Sequence, residues 1–531
     1  MTADIDAPHK LSNERWFAAL ATAVYCGVVL LGLLRHEMWR DEYQAWAIAW
    51  DASSLRDLWA NLRYDGHPPL WHLLLWGITR FAEQPLAMQL LHLAIVTGTV
   101  WLVMRHAPCS RIGRLAFCSG YFMLYEYAIL SRSYALGLFF AALFCVLYRD
   151  DRPPGIRLGL VLALMALSNP FATLLSLSLA VYVAIDRWGV RKAASRPCNR
   201  NIGWTLGLGF LGVGVAAMQI LPPADGGYYD IGAHTRGFQF EFLRQAFSHV
   251  FTSHVPIPAA GVAVWNTNWL ASLGENWVLL GSGLILAGGV VVLLRNPRAL
   301  LLYAGATGAF LAYFYLFSPI PQFVRYTGHL YLVLAMSLWL ARSLEPRWTF
   351  RQPWASGCSA RVERPFVALL WAAQIWAGAV SYAKDWQHPF SNSRAAAAYL
   401  VAHGYGANAM VGAQDFIVAP LAAILRRPIF YPERGEAGAF IIWDRHRLTS
   451  VDLDRMLAAC ARFYRITGQP VVLVLNAVVR KTVAGSPVPI QTQTLDNGFE
   501  LRHLADFAEE CMAADEIYHL YAYGRPVVPV P

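Results

Sequence analysis

Asp41 and Glu42 stand side by side in residues 36 to 72, a stretch opening His-Glu-Met-Trp-Arg-Asp-Glu-Tyr and running on to Tyr-Asp-Gly-His-Pro-Pro-Leu-Trp-His. Adjacent side chains cannot both point at one atom in a regular backbone, so the two carboxylates are expected to have different roles. A carboxylate facing a cavity at a membrane boundary could take a proton from an acceptor hydroxyl or amine, which is general-base work. The alternative is a solvated loop start with salt bridges to Arg35 or Arg40. At Asp65-Gly66-His67-Pro68-Pro69 the glycine allows a tight turn, and the prolines favour a helix starting at Leu70. His67 is therefore held rigidly, either donating to a phosphate oxygen or capping that helix. Trp39, Trp46, Trp50, Trp59, Trp71 and Trp76 are interleaved among these charges. Indoles beside ionisable groups belong at a membrane surface.

The elements that must hold these residues are membrane spans. The chain has 531 residues, 56% of them hydrophobic, 15% charged, and a mean hydropathy of +0.38. Trp16 to Leu34 is 19 residues without a charge, about the length that crosses a hydrocarbon core of roughly 30 Å. It is read as a retained span rather than a cleaved signal. Further spans are expected near 86–104, 114–131, 133–148, 156–168, 170–186, 202–221, 277–294, 299–317, 323–341 and 365–382, about eleven in all. Pro68 to Phe81 is short, carries His72 and Arg80 and starts with Pro-Pro, so it is expected to lie in the interface. Asp51 to Tyr64 is expected to be another surface helix, because Leu55, Leu58, Trp59 and Leu62 recur at helical spacing.

With that parity every basic loop falls on one side. These loops centre on Arg105 to Arg114, Arg149 to Arg157, Arg187 to Arg200, Arg295 to Arg298 and Arg342 to Arg364. The positive-inside rule then places the N-terminus in and the C-terminus out. The formal net charge of +9 has the same origin, since residues 386 to 531 hold 13 basic and 13 acidic residues. A nucleic-acid partner is not indicated. The opposite face receives the loop 35–85, the long loop 222–276 as a lid over the site, and all that follows residue 384. Glu126, Arg132, and Arg325 with Tyr326 lie at the same level. An arginine there suits a phosphate, because its planar fork donates two parallel hydrogen bonds; the alternative is an ion pair of Glu126 with Arg132.

Residues 385–531 alternate between helical and strand signals and predict an extracytoplasmic α/β domain with a largely parallel sheet, after a transmembrane catalytic domain of residues 1–384. Expected elements are helices over 394–403, 418–425 and 451–467 and strands over 409–412, 439–443 and 471–475. Gly404-x-Gly406 lacks a third glycine and follows a helix, so no dinucleotide site is read. No Cys-x-x-Cys pair suggests a metal. Cys460 and Cys511 could pair if that domain is outside the cytoplasm.

The acidic pair in Arg40-Asp41-Glu42-Tyr43, the His67-Pro68-Pro69-Leu70 and the Ser131-Arg132-Ser133-Tyr134 together resemble the GT-C glycosyltransferases. The match is to the branch with protein O-mannosyltransferases, lipid A aminoarabinose transferases and rhizobial lipopolysaccharide sugar transferases. The resemblance spans roughly residues 15 to 345 and is specific in motif only over 38–72 and 125–135. It implies an inverting transfer of sugar from a polyprenyl phosphate donor to a lipid, glycan or protein acceptor at the outer face of the inner membrane. Asp41 is then the expected base, with Glu42 beside it. Arg132 and Arg325 are implied to hold the donor phosphate, in surroundings that include Arg40, His67, Glu126 and Tyr326. Many relatives carry an aspartate shortly after the Ser-Arg. Residues 134 to 137 offer none, which leaves a divalent metal open and names no cofactor. The competing class is a transporter or flippase, which usually shows paired halves and midplane charges; here the charges gather at one face and no repeat appears.

Overall fold

Long charge-free stretches become the long helices of the computed structural model, which describes residues 7–194, 200–227, 238–317, 323–346, 353–483, 486–496 and 498–526. The helices are α1 (Ala7–Arg35), α2 (Arg40–Asp51), α3 (Leu55–Leu62), α4 (Leu70–Thr79), α5 (Leu86–His106), α6 (Arg111–Cys118), α7 (Tyr134–Leu147), α8 (Ile156–Ala166) and α9 (Pro170–Ala194). They continue with α10 (Arg200–Ile220), α11 (Phe240–His254), α12 (Glu275–Leu293), α13 (Pro297–Leu316), α14 (Val324–Ser343) and α15 (Pro353–Gln387). Among the described residues seven of these, α1, α5, α9, α10, α12, α13 and α15, are long and apolar enough to cross a membrane. The chain is a polytopic helical membrane protein.

All eleven expected segments contain helix, but they are not alike. α7 and α8, at 14 and 11 residues, rise only roughly 21 and 17 Å. The expected continuous span over 114–131 is not continuous: α6 stops at Cys118 and a π-helical turn, Phe122–Glu126, follows. The bend follows the close approach of α15, where a Cβ on Gly378 would lie 3.1 Å from the Tyr121 backbone. Irregular backbone at this depth is tolerable because it is buried in protein.

Contacts between loops gather the connections into two groups. On one face Arg298 bonds Asp150 and Asp186, and Arg295 and Arg342 share Glu363. On the other, Leu70 N donates to the Leu167 carbonyl and Arg132 meets Asp41. Pro68 to Phe81 therefore does not cross: α4 has 10 residues and lies beside α2 with α3. Ser54 caps α3 by accepting from the Asp57 amide, and Leu58 and Leu62 form its buried face.

The 222–276 segment is partly helical rather than a simple loop. It contains α11, whose Ala246, His249, Val250, Ser253 and His254 are buried in the bundle. Asp230 and His234 lie outside the described residues.

The chain after α15 adds α16 (Ser393–Ala402), α17 (Asp415–Leu425) and α18 (Leu453–Thr467), with strands β1 (Met410–Gly412), β2 (Ile429–Tyr431), β3 (Glu436–Gly438), β4 (Val471–Leu475), β5 (Arg480–Val483), β6 (Ser486–Pro489), β7 (Thr492–Thr494), β8 (Glu500–Phe507) and β9 (Tyr518–Gly524). The main sheet has the order β3-β2-β1-β4-β9-β8-β7. It is mixed rather than largely parallel. Only β2-β1 and β1-β4, whose connections contain α17 and α18, run parallel. The expected strand at 439–443 does not form, because the bundle satisfies its backbone: Ile441 exchanges two 3.0 Å hydrogen bonds with the Gln44 amide, and the Trp443 carbonyl accepts from Gly227 N. Cys460 and Cys511 are both free and buried.

Candidate active site

The first turn of α2 sends its two carboxylates opposite ways. Glu42 is fully buried. One of its oxygens accepts from Ser131 N at 2.6 Å; the other accepts from Trp39 N at 3.1 Å, which closes the helix N-terminus, and from His36 Nε2 at 3.0 Å. His36 Nδ1 donates to Asp385 at 2.8 Å, at the far end of the bundle sequence. Burial opposes charge on His36, but Asp385 and Glu42 outweigh it and push its pKa up to about 10, so an imidazolium is clamped between two carboxylates. Glu42 thus ties α1, α2, the 127–133 turn and α15 together, and presents nothing to a substrate.

Asp41, with its side chain 30% exposed, faces the other way, 3.3 Å from Arg325 Nη2 and 3.6 Å from Arg132 Nη1. Arg132 Nη1 also donates to the Asp41 carbonyl. Neither Arg35 nor Arg40 pairs with it: Arg35 donates to the Trp386 carbonyl, while Arg40 bonds Asp515 at 2.7 Å and its amide donates to Glu516 at 2.9 Å. Arg40 is therefore a tether to the C-terminal segment, which corrects its expected place beside a phosphate. Burial pushes the Glu516 carboxyl up to about 7 despite the opposing Arg40 charge.

Arg325 is almost wholly buried, yet among the described residues its Nε and Nη1 have no hydrogen-bond partner. Its Nη2 donates to the Tyr326 hydroxyl at 3.3 Å as well as to Asp41. Around the guanidinium the rings of Phe323, Tyr326, Trp39 and Trp265 stand at 4.2, 4.8, 5.1 and 5.2 Å. Aromatic faces help to carry the charge, but they accept no N–H bond of ordinary strength. Tyr326 is itself fixed by stacking on Phe171 at 4.7 Å.

Arg132 continues to His67, with Nη2 3.4 Å from Nε2. His67 Nδ1 lies 2.8 Å from the Asp65 carboxylate, so the ring is held between Asp65 and Arg132. Burial opposes the Asp65 charge, but the hydrogen bond from His67 and the Arg132 charge hold the carboxyl well below the usual carboxylate range. Burial lowers the His72 pKa to about 4, so that ring is neutral. His67 does not cap α4, which has no side-chain cap. The Glu126–Arg132 pair does not form either: Glu126 accepts from Tyr121 OH at 2.6 Å and Trp265 Nε1 at 3.1 Å, fixing the indole that covers Arg325.

Asp41, Arg132, Arg325, Tyr326 and His67 are thus brought together, Glu126 acts through Trp265, and Glu42 and Arg40 are directed elsewhere. Sequence reasoning missed Asp385, Trp265 and Phe323. A lone indole in a long connection carries no signal of the guanidinium it covers. Among the described residues no group of three or more His, Cys, Asp and Glu is arranged to hold a metal ion.

The fold and site define an integral membrane protein with a carboxylate and a caged arginine fork at one face of the bundle. No protein-family model and no curated protein matches the chain. Two solved structures are similar to it over most of its length. ArnT from Cupriavidus metallidurans, bound to undecaprenyl phosphate, aligns at 15% identity and a TM-score of 0.43, covering 86% of this chain and 92% of that one. The arabinofuranosyltransferase AftD from Mycobacteria aligns at 15% identity and a TM-score of 0.35, covering 96% of this chain and 40% of that one.

Proposed function

We propose that the protein is an inverting glycosyltransferase that moves a sugar from a polyprenyl phosphate to a hydroxyl or amine acceptor at the outer face of the inner membrane. The observation that carries this reading is the Arg325 guanidinium, buried with two of its three nitrogens unpartnered among the described residues and set 3.3 Å from Asp41. Unpaired buried donors are costly, and a phosphate supplies acceptors for them, Nη2 completing a parallel fork with either once it leaves Asp41. Arg132, held by Asp41 and His67, offers a second cation to the same anion.

With no donor bound, Asp41 is neutralised by both arginines. A phosphate drawing Arg325 and Arg132 to itself leaves the carboxylate free to accept a proton. The acceptor oxygen or nitrogen then bonds to the anomeric carbon, its proton passes to Asp41, and the bond from that carbon to the phosphate oxygen breaks. The leaving polyprenyl phosphate keeps the electron pair, and the two arginines stabilise its charge. Residues 1–384 are proposed as the catalytic part and 385–531 as an external domain, whose tethers to Arg40, Gln44 and Glu83 seat it over α2 and α4. The division and the sidedness rest on the basic-loop parity.

The test is a mass-spectrometric comparison of cell-envelope glycans and lipids with and without the protein. It is followed by incubation of the purified protein with polyprenyl-phosphate sugars of several kinds. Loss of one sugar from one envelope component, restored by the parent and not by Asp41→Asn, is the expected outcome. An unchanged envelope and no turnover of any such donor would refute the reading.

A further inference from the structure

At the opposite end of the bundle from Asp41 is a cavity of about 90 Å³ between α5, α7, α14 and α15, floored near Ala107, Pro108 and Cys109. Its α14 wall runs from Tyr331 to Arg342, so it starts roughly 9 Å below Arg325 and extends about 16 Å toward the basic face. Leu138, Ala141 and Ala142 of α7 and Val367, Leu370 and Trp371 of α15 make the other walls. The lining is almost wholly apolar. A hole of this character does not hold ordered water, which needs two to four polar partners, and left empty it forfeits dispersion contacts on every wall.

The residues at its lower end say what fills it. Arg342 lines the cavity, and its guanidinium shares a single carboxylate, Glu363, with Arg295. Close by, Arg111 and Arg114 share Glu14. Each cluster carries one cation more than its carboxylates balance. Leu338 and Trp339 in the wall are only partly buried. An apolar slot at membrane depth, ending at surplus positive charge on the basic face, matches a lipid whose chain is inside and whose phosphate is at the rim.

We infer that this cavity takes a segment of one acyl chain of an anionic phospholipid from the leaflet on the basic side, the rest of the chain lying along the partly buried Leu338 and Trp339 and the headgroup phosphate at Arg342. The site is separate from Asp41 and does not depend on the transfer chemistry. Small residues on facing walls, Ala142 and Ala335, leave the room for the chain, and Thr99 is the one hydroxyl of α5 that faces it.

The experiment uses the full chain in detergent, stripped of lipid and then offered phosphatidylglycerol, phosphatidylcholine or a polyprenyl phosphate. Bound lipid is measured by native mass spectrometry and the melting temperature by differential scanning fluorimetry. The parent should retain phosphatidylglycerol and melt higher with it, since a ligand of the folded state alone stabilises by mass action. Ala142→Phe and Ala335→Phe fill the slot from opposite sides and should each lower retention roughly tenfold. Arg342→Gln leaves the walls intact and should remove the preference for phosphatidylglycerol over phosphatidylcholine. Unchanged retention in both filled variants overturns the inference, as does polyprenyl phosphate being the lipid they displace. Should the filled variants fail to fold, an undiminished preference in Arg342→Gln overturns it.

Discussion

Asp41→Asn separates chemistry from architecture at this site. The substitution keeps the side chain's shape and one acceptor but removes its charge and its capacity to take a proton. Asp41 is partly exposed but its two arginines, at 3.3 and 3.6 Å, are nearly buried, so removing its charge should cost between the ~1 kcal/mol of a surface pair and the ~3 kcal/mol at the low end for a buried one. Melting should therefore shift by only a few degrees. Donor affinity should be kept or raised, because the carboxylate no longer competes with phosphate for Arg325 and Arg132. Transfer should fall roughly 10²- to 10⁴-fold, the usual effect of losing a general base. The adjacent Glu42→Gln is the internal control and should behave in the opposite way. Its amide cannot accept from Ser131 N, Trp39 N and His36 together, and it strips one carboxylate from a buried imidazolium. Breaking a buried pair of this kind costs about 3–5 kcal/mol, so the protein should unfold earlier, while what remains folded retains turnover. The assay is transfer of labelled sugar from polyprenyl phosphate in liposomes, run beside fluorimetric melting of each variant. Parental turnover in Asp41→Asn would refute the base assignment, and loss of turnover in a stably folded Glu42→Gln would move it one residue along.

Arg325→Gln removes the caged fork and should weaken donor binding by about ten- to a hundredfold, or 1.5–3 kcal/mol; Arg325→Lys should recover only part, because an ammonium cannot bind two oxygens in parallel. Titrating a fluorescent polyprenyl phosphate checks both, and unchanged affinity would make Arg325 a structural pair for Asp41. His36 has a folded-state pKa raised to about 10, so its contribution to stability is complete below about pH 6.5 and declines as pH rises through 10. The melting gap between parent and His36→Gln should narrow across that window, and a constant gap would mean that His36 is not an imidazolium. Cysteines at position 200 and at position 438 should be labelled from the cytoplasmic and the outer side respectively, since the basic loops share one face of the bundle. Outside labelling at 200 would reverse the orientation.

The sequence by itself determined the membrane class, the grouping of the basic connections and the stretch that contributes most to the candidate site. Each follows from local composition: charge-free runs long enough for a bilayer, arginines confined to alternate connections, and carboxylates and indoles gathered in residues 36 to 72. Helices α16, α17 and α18 and strands β1 and β4 were legible for the same reason, as periodic or continuous apolar runs. Tertiary structure decided what the periodicity could not carry. Adjacent carboxylates have the same propensity and hydropathy signal, and only the packing of His36, Asp385 and Ser131 around Glu42 makes one structural and leaves the other facing Arg325. The pairing of β4 with β9 rather than with another parallel strand, the capture of Ile441 by Gln44, and Trp265 over a guanidinium 60 residues away in sequence all depend on long-range partners. No window of neighbouring residues contains those partners, so the fold alone selects them.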